Sequence, residues 1–192
     1  MGVSAAPPGE PPHVEQCIAY VAERYGAPEG LLRAILSKEG GRDGDAIANN
    51  NGSFDLGRSQ INTAWLPTLH RFGITKQHLQ HNACTNIGTQ AWILSNAYVE
   101  KGSDWFRATV AYHIGSNKWS GDRLVRGHCY AVDTFRRWYR IEARLADPRL
   151  QAEMDWCRKQ PKLVLAPARV KTASIPEKNT ATRKISFNIS GK

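Results

Sequence analysis

The feature that most constrains this chain is the spacing of its apolar residues. They recur three and four positions apart, the period of a helix with one buried face. In LLRAILSKEGG, residues 31–41, Leu31, Leu32, Ile35 and Leu36 form such a stripe. Glu39 lies four positions after Ile35 and eight after Leu31, so it falls on the same stripe, at the last turn. Pro28 suits the opening of this helix, and Gly40 and Gly41 are natural residues just past its end.

The same period appears elsewhere. Val14, Cys17, Ile18, Val21 and Tyr25 predict a helix over about 13–25, stopped by Gly26. Ile61, Trp65 and Leu69 predict one over about 58–71, and Ile87, Ala91, Leu94 and Tyr98 one over about 84–101. Asp104 is placed to cap a helix carrying Trp105, Ala108, Thr109 and Tyr112. A long helix is expected over about 121–146, ended or bent by Asp147-Pro148, with a short one following to about Lys159. Residues 42–57, RDGDAIANNNGSFDLG, carry turn chemistry and little apolar content. Neither a convincing strand nor an internal repeat stands out, so the expected class is all-α.

Composition divides the chain. Hydrophobic residues make up 41% of its 192 positions, enough for one core. The net charge of +9 is concentrated at the end: residues 158–192 hold nine Lys or Arg against one acid, Glu177. The expected organisation is a Pro-rich leader over 1–12, a domain over 13–159, and a flexible basic tail over 160–192 in which KISFNIS could pair as a strand with a partner. The folded part is nearly neutral and shows no base-reading or base-stacking motif, which argues against specific nucleic-acid binding. No run of about 18 apolar residues is present to span a membrane. The opening MGVSAAPPGEPP has neither the basic end nor the apolar stretch of a secretory signal, so an exported form is expected to have lost one or to leave by another route.

Cys17, Cys84, Cys129 and Cys157 lack CxxC spacing. Even in number and widely spaced, they suit one or two disulfides in an oxidising compartment, or four buried thiols elsewhere. The six histidines show no ligand spacing such as HExxH.

Glu39 carries the chemistry. The carbonyl end of a helix and an apolar stripe both disfavour an ionised carboxylate. A carboxylic acid that holds its proton is what a general acid needs to protonate a leaving oxygen. The plain alternative is a Glu on the exposed edge of the last turn. Three stretches follow it in order: NNNGSFDLGRSQIN (49–62), ACTNIGTQAWIL (83–94) and ATVAYHIGS (108–116).

Together these motifs resemble the soluble lytic transglycosylase family, whose fold is similar to goose-type lysozyme. The resemblance covers about residues 14–145. It is closest to the small enzymes that accompany type III secretion, type IV secretion and conjugation machines. It implies Glu39 as catalytic acid and base, with Ser59, Gln60, Tyr112 and His113 at substrate-binding positions, Gln60 facing the N-acetyl region and Tyr112 positioning the acid or the substrate. It also implies a Cys17–Cys84 disulfide, a periplasmic location, peptidoglycan glycan strands as substrate, secretion-machine components as partners of the tail, a monomer, and no metal or cofactor. This chain departs from the family pattern at Gly40 (Ser), Arg58-Ser59 (Leu-Met) and His113 (Asn). Arg58 is expected to add a charge beside the substrate.

Glycosidases that use two carboxylates hold them about 5–9.5 Å apart. The nearby acids Asp43, Asp45 and Asp55 sit in the turn-rich loop with no sign of facing Glu39. The family's single-acid route is therefore expected: cleavage of the β-1,4 bond between N-acetylmuramic acid and N-acetylglucosamine with formation of a 1,6-anhydro ring. A lysozyme-type hydrolase and a weakly catalytic peptidoglycan-binding assembly factor are the alternatives.

Overall fold

A computed structural model of the chain describes residues 12–117, 119–144 and 146–160. Residues 1–11 of the expected 1–12 leader and the tail beyond 160, KISFNIS included, lie outside the described residues, while Pro12 opens the first helix. The architecture is all-α: α1 (Pro12–Tyr25), α2 (Glu29–Glu39), α3 (Leu66–Leu69), α4 (Lys76–His81), α5 (Ala83–Glu100), α6 (Trp105–Ile114), α7 (Gly121–Ile141) and α8 (Pro148–Arg158).

The helical stripes of the sequence become the core. Val14, Ile18, Leu31, Leu32, Ile35, Ile87, Ala91 and Leu94 have no exposed surface. α5 is buried along most of its length, with α1 on one side and α6 on another. α7 packs against both α2 and α6. Caps follow the side chains: Asp104 accepts the Arg107 N–H at 3.0 Å and Asp147 accepts that of Arg149 at 2.8 Å.

Three expectations need correction. Residues 58–71 are not one helix. They form a two-residue strand, a 3-10 turn (Thr63–Trp65), the single turn α3, and a second 3-10 turn (His70–Phe72). Pro67 lacks an N–H and sits at the start of α3, so a helix begun earlier could not run through it. Ile61 and Leu69 are nonetheless buried, as their spacing suggested.

The turn-rich stretch also holds a small antiparallel sheet, β1 (Ala46–Ala48), β2 (Phe54–Leu56) and β3 (Ile61–Asn62), in the order β1-β2-β3. The β1–β2 turn is closed by Asn49 N–H to Ser53 O at 2.8 Å and Gly52 N–H to Asn49 O at 3.0 Å. Finally, the long helix stops at Ile141, short of the expected 146.

α4 was not foreseen. Thr75 caps it by accepting the His78 N–H at 3.2 Å, and Leu79 is its buried residue. Disulfides join Cys17 of α1 to Cys84 of α5 and Cys129 of α7 to Cys157 of α8, with Cα separations of 5.2 and 5.6 Å. Among the described residues no helix is long and apolar enough to cross a membrane.

Candidate active site

The stripe that takes Leu31 and Ile35 into the core ends by turning Glu39 toward α7. Three consecutive residues of α2 are tied to that helix. The Arg137 guanidinium donates to Ser37 Oγ at 3.0 Å, Lys38 pairs with Asp133 at 2.6 Å, and the Tyr130 hydroxyl donates to Glu39 Oε1 at 2.6 Å. Burial alone would push the Asp133 carboxyl up, but Lys38 and Arg137 outweigh it and hold the group below its usual range. Glu39 itself is half-buried.

Gly40 ends α2 in the left-handed conformation, φ 67°, with its N–H bonded to Leu36 O at 3.0 Å. That conformation is costly for a residue with a Cβ. Gly41 is required for a different reason: a Cβ there would collide with the Gly57 carbonyl oxygen and the Gln60 side-chain amide. The chain just after the acid is thus pressed onto the turn that carries Gln60.

That turn is held from beneath by buried polar groups. Ser59 has no exposed surface. Its N–H donates to Asn86 Oδ1 at 2.7 Å, its hydroxyl to Gln90 Oε1 at 2.7 Å, and its carbonyl accepts the Tyr112 hydroxyl at 2.8 Å. Gln90 in turn donates to Leu32 O at 3.1 Å, and Asn86 to Leu56 O and Leu79 O at 2.8 Å each. Buried polar groups paired this fully fix one conformation, because breaking any bond strands its partner away from water. Gln60 takes a positive φ of 49°, and its side-chain amide donates to Gly57 O at 2.8 Å.

The structure places the expected residues unequally. Tyr112, expected at the substrate, is instead buried beneath the turn with its hydroxyl on Ser59 O, because α6 carries it into the core; burial raises its phenol well above its usual value and the Glu39 charge raises it further. Gln60 is half-buried on the turn against Gly41. Ser59 lies inside the scaffold beneath that turn. His113 is half-buried, with its ring stacked on that of Tyr130, centroids 4.2 Å apart and planes 3° from parallel. Arg58 does not present a bare charge: its guanidinium engages Asp43 at 2.9 and 3.1 Å.

The residue missed from sequence is Tyr130. Its phenol is raised well above its usual value, first by burial and then by Glu39. Tyr130, Thr134 and Trp138 are buried at successive fourth positions of α7, so the period marks a core tyrosine without naming its partner. The other acids of the loop are engaged elsewhere. Asp43 pairs with Arg58, Asp45 accepts the Arg42 N–H at 2.8 Å, and Asp55 accepts from the Asn62 amide at 2.7 Å. Among the described residues no group of three or more His, Cys, Asp and Glu could hold a metal ion.

The arrangement presents a helix-terminal carboxylic acid with one oxygen held by a buried phenol, beside a tightly fixed turn. Comparison with known proteins gives the family. The transglycosylase SLT domain model matches residues 16–123. The protein IpgF of Shigella flexneri is 35% identical over 136 residues, 69% of this chain and 86% of that relative. The X polypeptide of Escherichia coli K12 is 31% identical over 132 residues, 68% and 77%. The invasion protein IagB of Salmonella typhi is 28% identical over 135 residues, 70% and 84%. Glu39 and all of the turn that supports Gln60 lie inside the matched region, and with more than half of its length accounted for, this chain belongs to the transglycosylase SLT domain family.

Proposed function

We propose that the protein is a peptidoglycan lytic transglycosylase with Glu39 as its single catalytic acid and base. The observation that carries this reading is the Tyr130–Glu39 hydrogen bond at 2.6 Å, by which a buried phenol holds the helix-terminal carboxyl in one place beside the turn that carries Gln60. In the first step Glu39 protonates the β-1,4 oxygen between N-acetylmuramic acid and N-acetylglucosamine, and the bond from that oxygen to the muramic C1 breaks. The N-acetyl group assists at C1. The muramic 6-hydroxyl then bonds to C1, and its proton returns to Glu39. No water is consumed, so the two products together have the mass of the substrate. Gln60 is assigned to the substrate side of the site, while Tyr112, buried with its hydroxyl on Ser59 O, positions the turn, and His113 lies against Tyr130. Ser59 serves the site indirectly, by anchoring the turn.

The two disulfides support an oxidising compartment, and we assign the protein to the periplasm. Its likeness to an invasion protein supports local wall opening for a secretion, conjugation or pilus machine; we further assign the basic tail as the contact and a monomer as the working form. The test is digestion of purified peptidoglycan followed by mass analysis. Products with 1,6-anhydro ends are expected. Reducing ends, heavier by one water, would identify a lysozyme-type hydrolase, and no cleavage would leave a binding factor.

A further inference from the structure

Tyr130 meets Glu39 at 2.6 Å, yet nothing in α7 alone fixes the direction of its O–H. A phenol O–H prefers the plane of its ring through conjugation, so whatever sets the ring plane sets where the proton points. His113, on the neighbouring α6, lies flat on that ring, 4.2 Å between centroids and 3° from parallel. Parallel stacking is one of the arrangements that aromatic pairs prefer, so the contact couples the plane of the phenol to that of the imidazole. Lys38, held by Asp133, stands 5.9 Å from the same ring. Tyr130 therefore touches α2 through its hydroxyl and α6 through its face.

We propose that His113 is a positioning residue for the cleavage reaction, acting through Tyr130: its stacked ring fixes the phenol plane so that the hydroxyl engages Glu39 Oε1. This rests on the reading of Glu39 as the proton donor, and it assigns His113 a task separate from contact with the glycan. The part of His113 to which this task falls is the flat face of its ring stacked on Tyr130.

The test uses the full-length protein, soluble glycan strands and four variants: His113→Ala, His113→Phe, Tyr130→Phe, and the double variant His113→Ala with Tyr130→Phe. His113→Ala should lower kcat roughly tenfold or more at unchanged KM, as a misplaced group does. His113→Phe should retain most of the rate. In the Tyr130→Phe background, His113→Ala should cost nothing further, because the two act as one unit. A raised KM at unchanged kcat in both His113 variants would overturn the proposal in favour of direct glycan contact, and so would additive losses.

A second readout needs no turnover. In proton NMR without glycan, the hydroxyl resonance that Tyr130→Phe removes should be sharp in the parent and in His113→Phe, and lost to exchange in His113→Ala. An unchanged resonance in His113→Ala overturns the positioning role. Full cleavage by Glu39→Gln would instead refute the reading of Glu39, while the NMR comparison still decides the role of His113.

Discussion

Tyr130 and Glu39 are separated by 91 positions in the chain and by 2.6 Å in the structure, phenol oxygen to carboxylate oxygen. The bond joins the middle of α7 to the last residue of α2. In the reaction proposed above, this hydrogen bond strengthens as the carboxyl gives up its proton, so it helps the step in which charge develops. The buried phenol is the preorganised part of the site, and the helix terminus supplies the acid.

Replacing Glu39 with Gln keeps the shape and leaves the Tyr130 hydroxyl an acceptor, but removes the transferable proton. Cleavage should fall by about 10²–10⁴-fold, toward the upper end if no second carboxylate takes over. The melting temperature should hold or rise, as is common when an active-site charge is removed. Turnover and a thermal melt on the same preparation check both, and full activity would refute the role of Glu39.

Replacing Tyr130 with Phe removes one bond to a charged group and keeps the ring under His113. The loss in kcat should be about 10–100-fold, the rate equivalent of such a bond. Alkaline behaviour should change as well. Tyr130 and Tyr112 have folded-state values raised by burial and by Glu39, so the stabilisation they give is complete below the ordinary tyrosine value of about 10. It is lost as the pH climbs from there toward the raised values. Absorbance titration of phenolate should show both ionising only as the fold opens, and the alkaline fall in stability should be shallower in Tyr130→Phe.

The two glycines after Glu39 should respond differently to alanine. Gly40 has open space for a Cβ but a φ of 67°, so Gly40→Ala should cost about 1 kcal/mol in denaturant melts and leave the turn in place. Gly41→Ala drives a Cβ into the Gly57 carbonyl and the Gln60 amide. It should displace the turn and reduce cleavage by more than its effect on stability. Equal activity in the two variants would dissociate the turn from catalysis.

Both disulfides should appear in non-reducing peptide maps as 17–84 and 129–157. They close intervals of 67 and 28 residues, so losing either should cost about 3–4 kcal/mol by restored chain entropy. Serine at Cys157 frees α8 from α7 while leaving the acid in place, so it should lower the melting temperature more than the rate. Free thiols at 17 and 84 would refute the periplasmic assignment.

The helices that carry the site are legible in the order of the residues alone. The stripes of α1, α2, α5 and α6, the Asp104 cap, and the glycines that follow Glu39 are local signals, because a helix is written in contacts three and four residues apart. Glu39 could be singled out for the same reason: its position on the stripe is a property of α2 alone. The motifs around Gln60 and Tyr112 carried the resemblance that pointed to Cys17 and Cys84. The sheet strands are two or three residues long, too short to show a period of two, and α4 has a single buried residue. Four pairings come from the folded arrangement instead: Tyr130 with the acid, His113 with Tyr130, Asp43 with the charge of Arg58, and Cys129 with Cys157. Each depends on where one element crosses another, and the periodicity of a helix says that a face is buried without saying which residue of which distant helix will cover it.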